Sequence, residues 1–192
     1  MKKIADHLQK ILTGIIFLML ISPFALAQDR LSRIEASLAD SGIEQLPYQQ
    51  IAQRVQASDS DLLLFDVREP DEYAVGHLPG AIWLSPDADV NSFIEQYGDQ
   101  LQQKEVVFYC STGRRSTALA QEVKAALQKQ QSPLPVPANM KGGIFRWHNA
   151  ALPLENAGGS TPLIHPFNWI WRLSLERSDQ TSFSPVMADG TK

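Results

Sequence analysis

Residues 106–116 read VVFYCSTGRRS, and the rest of the chain is organised around them. Val106, Val107, Phe108 and Tyr109 are four β-favouring residues of a buried strand. From Ser116 the run STALAQEVKAALQKQ turns Ala118, Leu119, Val123, Ala126 and Leu127 inward and Gln121, Glu122, Lys124 and Gln128 outward, a helix stopped at Ser132-Pro133. Cys110, the chain's single cysteine, therefore sits at a strand-to-helix turn. Amides at a helix start lack intrahelical partners and carry the positive end of the dipole, so an anion there is stabilised. A thiolate is such an anion. A lone thiol at a strand end is more often a core residue, but Gly113 lets this loop curl so that its N–H groups converge, and Arg114 and Arg115 follow at once. The arginines are candidates for holding a substrate oxyanion, or one of them for anchoring the loop through a buried ion pair. Ser111 and Thr112 offer hydroxyl contacts or are simply small loop residues.

Moving outward, residues 61–67 (DLLLFDV) form a continuous apolar run of strand length, suited to a strand buried on both faces of a parallel sheet. Pro70 and its neighbouring acids open a helix, Gly76-His77-Leu78-Pro79-Gly80 punctuates it, and residues 81–84 make another short strand. Residues 92–97 read as a short helix, with 99–104 leading into the Val106 strand. Upstream, residues 31–39 form an amphipathic helix stopped by Asp40-Ser41-Gly42, residues 43–46 a short strand, and residues 48–56 a helix with Ile51 and Val55 inward. Strands alternate with helices, which predicts an α/β fold with a mainly parallel sheet, and in such sheets sites lie beyond the carboxyl ends of strands.

The N-terminus has a different logic. Lys2, Lys3 and Lys10 precede the apolar run 11–27, which ends Ala25-Leu26-Ala27, the pattern of a secretory signal peptide cleaved after Ala27. An uncleaved anchor is the rival reading, and Gly14, Ser22 and Pro23 shorten the strongly apolar part against it. Cleavage removes a net charge of +2, so the formal −4 becomes −6. An acidic exported protein is a poor nucleic-acid binder. Export also implies an oxidising compartment. One cysteine cannot pair within its own chain there, so Cys110 is either inert or meets partners from outside.

Downstream, Pro133, Pro135 and Pro137 complicate a strand over 136–140, Gly142-Gly143 makes a turn, and Ile144, Phe145 and Trp147 supply apolar bulk. Residues 156–162 are a linker-like stretch. Beyond it Trp169, Trp171, Leu173 and Leu175 alternate as in a strand, in a segment short enough for a helix too. Clipping back onto the domain is the simpler role for these tryptophans, ahead of a partner or membrane surface.

Cys110 to Ser116, with Asp66-Val67-Arg68-Glu69, Gly76-His77-Leu78-Pro79-Gly80-Ala81, Gly142-Gly143 and Trp147, resembles the single-domain rhodaneses, the thiosulfate sulfurtransferase-like family, over residues 43–153. The resemblance implies a three-layer sandwich with a mainly parallel five-stranded sheet flanked by helices. The chain then divides into a signal peptide (1–27), a helical extension (28–42), the rhodanese-like domain (43–154) and a C-terminal extension (155–192). It implies catalysis by Cys110, which takes a sulfane sulfur from thiosulfate or a similar donor as a persulfide and passes it to cyanide or a thiol. Ser111, Thr112, Gly113, Arg114, Arg115 and Ser116 would bind the substrate. No cofactor is implied. The partners would be small-molecule donors and acceptors, or a redox or sulfur-acceptor protein, in the periplasm.

Asp66 and Arg68 read as a structural pair rather than catalysts, and His77 as a hydrogen-bonded turn residue. His148 and His165 have no spacing partners, so no metal site is expected. Two other functions stand beside sulfur transfer. One is a non-catalytic binding or sulfur-carrier module of an export pathway. The other is a cysteine phosphatase or arsenate reductase, whose phosphate loop needs an arginine six positions after the cysteine. Here that position is Ser116 and the arginine comes five after. The segment from residue 155 has no counterpart in the minimal domain; it is free to cover the pocket, extend a sheet or bind a partner.

Overall fold

A computed structural model describes residues 23–185; most of the expected signal peptide lies outside them. Helix α1 spans Pro23–Leu38, starting well ahead of the expected Leu31. Its first turn holds proline where a helix tolerates it, and good helix formers follow. The main domain then runs β1 (Gln45–Pro47), α2 (Tyr48–Gln56), β2 (Leu62–Asp66), α3 (Pro70–Val75), β3 (Ile82–Trp83), α4 (Val90–Gln103), β4 (Glu105–Tyr109), α5 (Arg114–Lys129), β5 (Ala138–Lys141) and α6 (Gly143–Asn149). A β6–β7 hairpin (Leu154–Asn156, Gly159–Thr161), helix α7 (Trp169–Arg172) and a 3₁₀ turn (Ser178–Gln180) follow.

The five strands of the main sheet are all parallel, in the order β1-β5-β4-β2-β3. Strand period divides the core in two. Val107 and Tyr109 of β4 join Leu64, Met140, Ile51, Ile144 and Trp147 on the side of α2 and α6. Val106, Phe108 and Cys110 join Phe65, Phe93, Leu101, Leu119 and Val123 on the side of α4 and α5. The result is the expected three-layer sandwich, and the near-unbroken apolar runs of β2 and β4 follow from burial on both faces.

Three further departures from the sequence reading in the main domain and the C-terminal segment each have a physical reason. Helix α4 is longer than residues 92–97, because Asp89 caps it by accepting from the Ser92 amide at 2.8 Å and buried Leu101 holds its last turn against the core. Gly98 inside it costs about 1 kcal/mol against alanine, less than such burial returns. Strand β5 escapes the prolines by beginning after Pro137, and its Asn139 amide donates to the Glu44 carbonyl at 2.8 Å. The alternating aromatic segment is neither a strand nor one continuous helix. Only Trp169–Arg172 is helical, capped by Asn168, whose Oδ1 accepts from the Ile170 and Trp171 amides at 3.0 Å each.

Candidate active site

Strand β4 ends at Tyr109, and Cys110 follows at the carboxyl edge of the sheet, beside the ends of β2 and β5. Gly113 adopts φ +93° as the residue before α5, so the helix begins at Arg114 rather than Ser116. That left-handed turn folds the loop back on itself, and the Gly113 N–H donates to Cys110 Sγ at 3.2 Å. The first-turn amides of α5 have no acceptor within the helix, and the positive end of its dipole lies at this loop.

The double glycine holds the loop from behind. The Ile144 and Phe145 amides donate to the carbonyls of Cys110 and Ser111 at 2.9 and 3.0 Å. Gly143 has φ +58°, and a Cβ there would sit 2.3 Å from the Cys110 carbonyl oxygen. Only glycine permits that approach.

The two arginines have separate fates. Arg115 turns back and grips Glu72 with both arms, at 2.8 and 3.0 Å, and its Nη2 also donates to Ser111 Oγ at 3.0 Å. Ser111 in turn donates to Glu72 at 2.9 Å. Glu72 is 2% exposed. Burial is the strongest single influence on Glu72 and raises its pKa, but the Arg115 hydrogen bonds and the Arg68 charge outweigh it, so the net shift is downward. Burial likewise works against the charge on Arg115, and Glu72 reverses it. Arg115 is thus the loop anchor, as one reading of the sequence had it. Arg114 is exposed and makes no ion pair or hydrogen bond among the described residues.

Ser116 is fully buried and donates to Asn139 Oδ1 at 2.5 Å, while Asn139 donates to Gln45 at 2.7 Å. Its hydroxyl ties α5 to β5 and β1, away from the cavity over the thiol.

That cavity, about 230 Å³, has Cys110, Ser111 and Thr112 along one side with Arg114 and Arg115 beside them. Phe167 and Trp171 from the C-terminal segment complete its lining. A larger cavity of about 530 Å³ lies elsewhere, around Tyr48, Lys141 and the Glu35–Arg146 ion pair. No cysteine lines it, so thiol chemistry points to the smaller one.

Beside the site, Asp66 and Arg68 are wholly buried and paired, with Arg68 Nε donating to Oδ1 at 2.8 Å and Nη2 to Oδ2 at 2.6 Å. Arg68 also donates to the Gly76 carbonyl at 2.8 Å, fastening the end of β2 to the Gly76–Ala81 turn. This is the structural pair the sequence suggested. His77 stacks on Tyr73 with centroids 3.7 Å apart, and its Nδ1 lies 2.9 Å from the Tyr73 carbonyl. Its backbone pairs with Glu155, so the turn also receives the C-terminal segment.

Glu72, Phe167 and Trp171 are the site residues that sequence reasoning missed. Glu72 has a sufficient local role in the capping box with Glu69 at the start of α3. Only the fold brings Arg115 to it.

Comparison with known proteins agrees with this geometry. The Rhodanese-like domain family matches residues 48–150, more than half of the chain. The chain belongs to the rhodanese-like family. A thiosulfate:glutathione sulfurtransferase of Saccharomyces cerevisiae is 34% identical over 84 residues, covering 39% of this chain and 60% of the yeast protein. A sulfurtransferase of Allochromatium vinosum is 28% identical over 112 residues, 58% of this chain and 94% of the relative. Among solved structures, thiosulfate sulfurtransferase from Pseudomonas aeruginosa superposes with a TM-score of 0.52 at 23% identity, over 73% of this chain and 25% of that one, a likeness of fold. The family match ends before the segment that carries Phe167 and Trp171, so two of the seven residues lining the cavity of this rhodanese-like protein come from outside the matched domain.

Proposed function

We propose that this protein is a sulfurtransferase working through a persulfide on Cys110. The observation that carries the reading is the Gly113 amide directed at Cys110 Sγ on the wall of a cavity whose Arg114 is unpaired. The Cys110 thiolate attacks the outer sulfur of thiosulfate, a new S–S bond forms, and the bond to the sulfonate breaks with its electron pair leaving as sulfite. Arg114 and the loop amides receive the anionic end. The persulfide then yields its outer sulfur to cyanide or to a thiolate, restoring Cys110 as thiocyanate or a new persulfide departs.

The anionic persulfide is held by the same N–H that meets the thiolate. No general base is required once the thiol is ionised, and no cofactor enters either half-reaction. The donors and acceptors are small sulfur compounds, with a thiol-bearing protein as a further acceptor. The proposed setting is the periplasm, reached by removal of residues 1–27.

Phosphate chemistry fits less well. The arginine five residues after the cysteine is taken by Glu72, and the sixth position is a buried serine bonded to Asn139. Thiocyanate production from thiosulfate and cyanide by the purified protein, and its loss in Cys110→Ser, tests the proposal. Phosphate release from an aryl phosphate without thiocyanate production would replace it.

A further inference from the structure

Thiosulfate makes no use of the aromatic part of the cavity. It is charged at both ends, gains from N–H groups and guanidinium, and loses hydration without return against aromatic carbon. Yet two rings, Phe167 and Trp171, form a wall of the cavity beside the loop, and the cavity of about 230 Å³ has room for a body beyond a sulfur head.

The rings are held in place by several ties. Phe167 has φ +65°, a backbone conformation that a bulky residue adopts only under constraint. Its amide donates to His165 Nδ1 at 3.0 Å, and its ring lies 5.2 Å from the Arg115 guanidinium carbon. The Trp171 ring has Arg30 of α1 5.6 Å from its centroid, and Arg30 also donates to the Ile170 carbonyl at 2.9 Å. On either side of the rings, Ile164 and Leu175 are buried in the domain core. This segment is a built wall, anchored before and after the rings and braced from α1.

We propose that this wall sets the class of sulfur donor: an organic sulfane-sulfur anion whose apolar body packs against Phe167 and Trp171 while its charged sulfur end meets Arg114 and the loop amides. The inference rests on the sulfurtransferase reading and narrows its substrate. With an organic thiosulfonate, R–SO₂–S⁻, the Cys110 thiolate attacks the terminal sulfur. The new S–S bond leaves a cysteine persulfide anion, and the old S–S bond breaks with its electron pair on the departing sulfinate, R–SO₂⁻. Charge and atoms balance with no added oxidant or reductant. The apolar body gains from burial against the rings in both ground and transition states, so its contribution is read in kcat/KM.

The test compares benzenethiosulfonate with methanethiosulfonate, which share the reacting head and differ in the body. The full protein and its Trp171→Ala, Trp171→Leu and Phe167→Gly variants are assayed with cyanide as acceptor. The readout is the ratio of the two kcat/KM values within each protein, so any loss common to both donors cancels. Glycine suits the positive φ at position 167 and Trp171→Leu keeps bulk in the wall, so a folded variant is available even if Trp171→Ala does not fold. The expected result is that the wild-type ratio falls about tenfold or more in Trp171→Ala and Phe167→Gly, with Trp171→Leu in between. A ratio that stays within twofold of wild type in every folded variant overturns the donor assignment and leaves sulfur transfer standing. Failure of the wild-type protein to take sulfur from either thiosulfonate or from thiosulfate overturns both.

Discussion

Replacing Glu72 by glutamine keeps the size and shape of the side chain and removes its charge. In the wild-type protein this carboxylate is 2% exposed and accepts from Arg115 twice, from Ser111 once and from the Glu69 amide at 3.2 Å. The substitution leaves the Arg115 guanidinium facing one neutral acceptor and an amide that cannot accept. Breaking a fully buried ion pair from one side costs about 3–5 kcal/mol. The Arg115 side chain is 30% exposed, so water recovers part of that loss and the expected cost is about 2–3 kcal/mol. Urea unfolding at pH 7 measures it. The sign with pH is fixed by the downward shift of the Glu72 pKa from 4.5. The wild-type advantage is fully present above about pH 4.5 and is lost as pH falls through the folded value. The gap between wild type and Glu72→Gln therefore narrows as pH falls below about 4.5. A difference below about 0.5 kcal/mol at pH 7, or a gap that does not change down to pH 3, refutes the anchoring role.

Three further outcomes follow from the geometry. Gly143→Ala places a Cβ 2.3 Å from the Cys110 carbonyl in a left-handed backbone; it costs at least about 2 kcal/mol and abolishes thiocyanate production, and a variant of wild-type melting temperature and activity contradicts this. Arg114→Ala removes an exposed, unpaired guanidinium, so the KM for thiosulfate rises about tenfold with the melting temperature unmoved; an unchanged KM contradicts the anion-binding role. His148 is buried with its Nδ1 unpartnered, and burial first, then the Arg177 charge, push its pKa down to about 4 from 6.5. The unfolded chain takes up that proton at higher pH than the folded one, so stability is full above about pH 6.5 and falls by about 3 kcal/mol toward pH 4. Urea unfolding across that window shows a smaller loss in His148→Gln; an equal loss refutes the assignment.

Much of this was legible in the sequence because it is encoded locally. Apolar runs at 62–66 and 106–109 give buried strands, Cys110 falls at the end of one, and Gly113 marks the turn that brings an amide to its sulfur. The destinations of the polar side chains were not legible. Arg114 and Arg115 are adjacent and chemically identical, and only the helical phase of α5 and the position of α3 send one to Glu72 and leave the other free. Ser116 reads as the helix start and, by the resemblance, as a substrate contact, yet its hydroxyl donates to Asn139. The aromatic wall was the hardest to foresee. Trp169 and Trp171 share a pattern, but Trp171 lines the cavity while Trp169 is 67% exposed. Periodicity reports which residues share a face of an element, and a four-residue helix has too few turns to say where that face looks.

If Cys110 carries the transferred sulfur, intact-protein mass spectrometry after incubation with thiosulfate sees it. The wild-type chain is expected to gain about 32 Da, removed by cyanide with release of thiocyanate and absent from Cys110→Ser. A folded wild-type protein that gains no such mass, or a Cys110→Ser variant that still does, contradicts it.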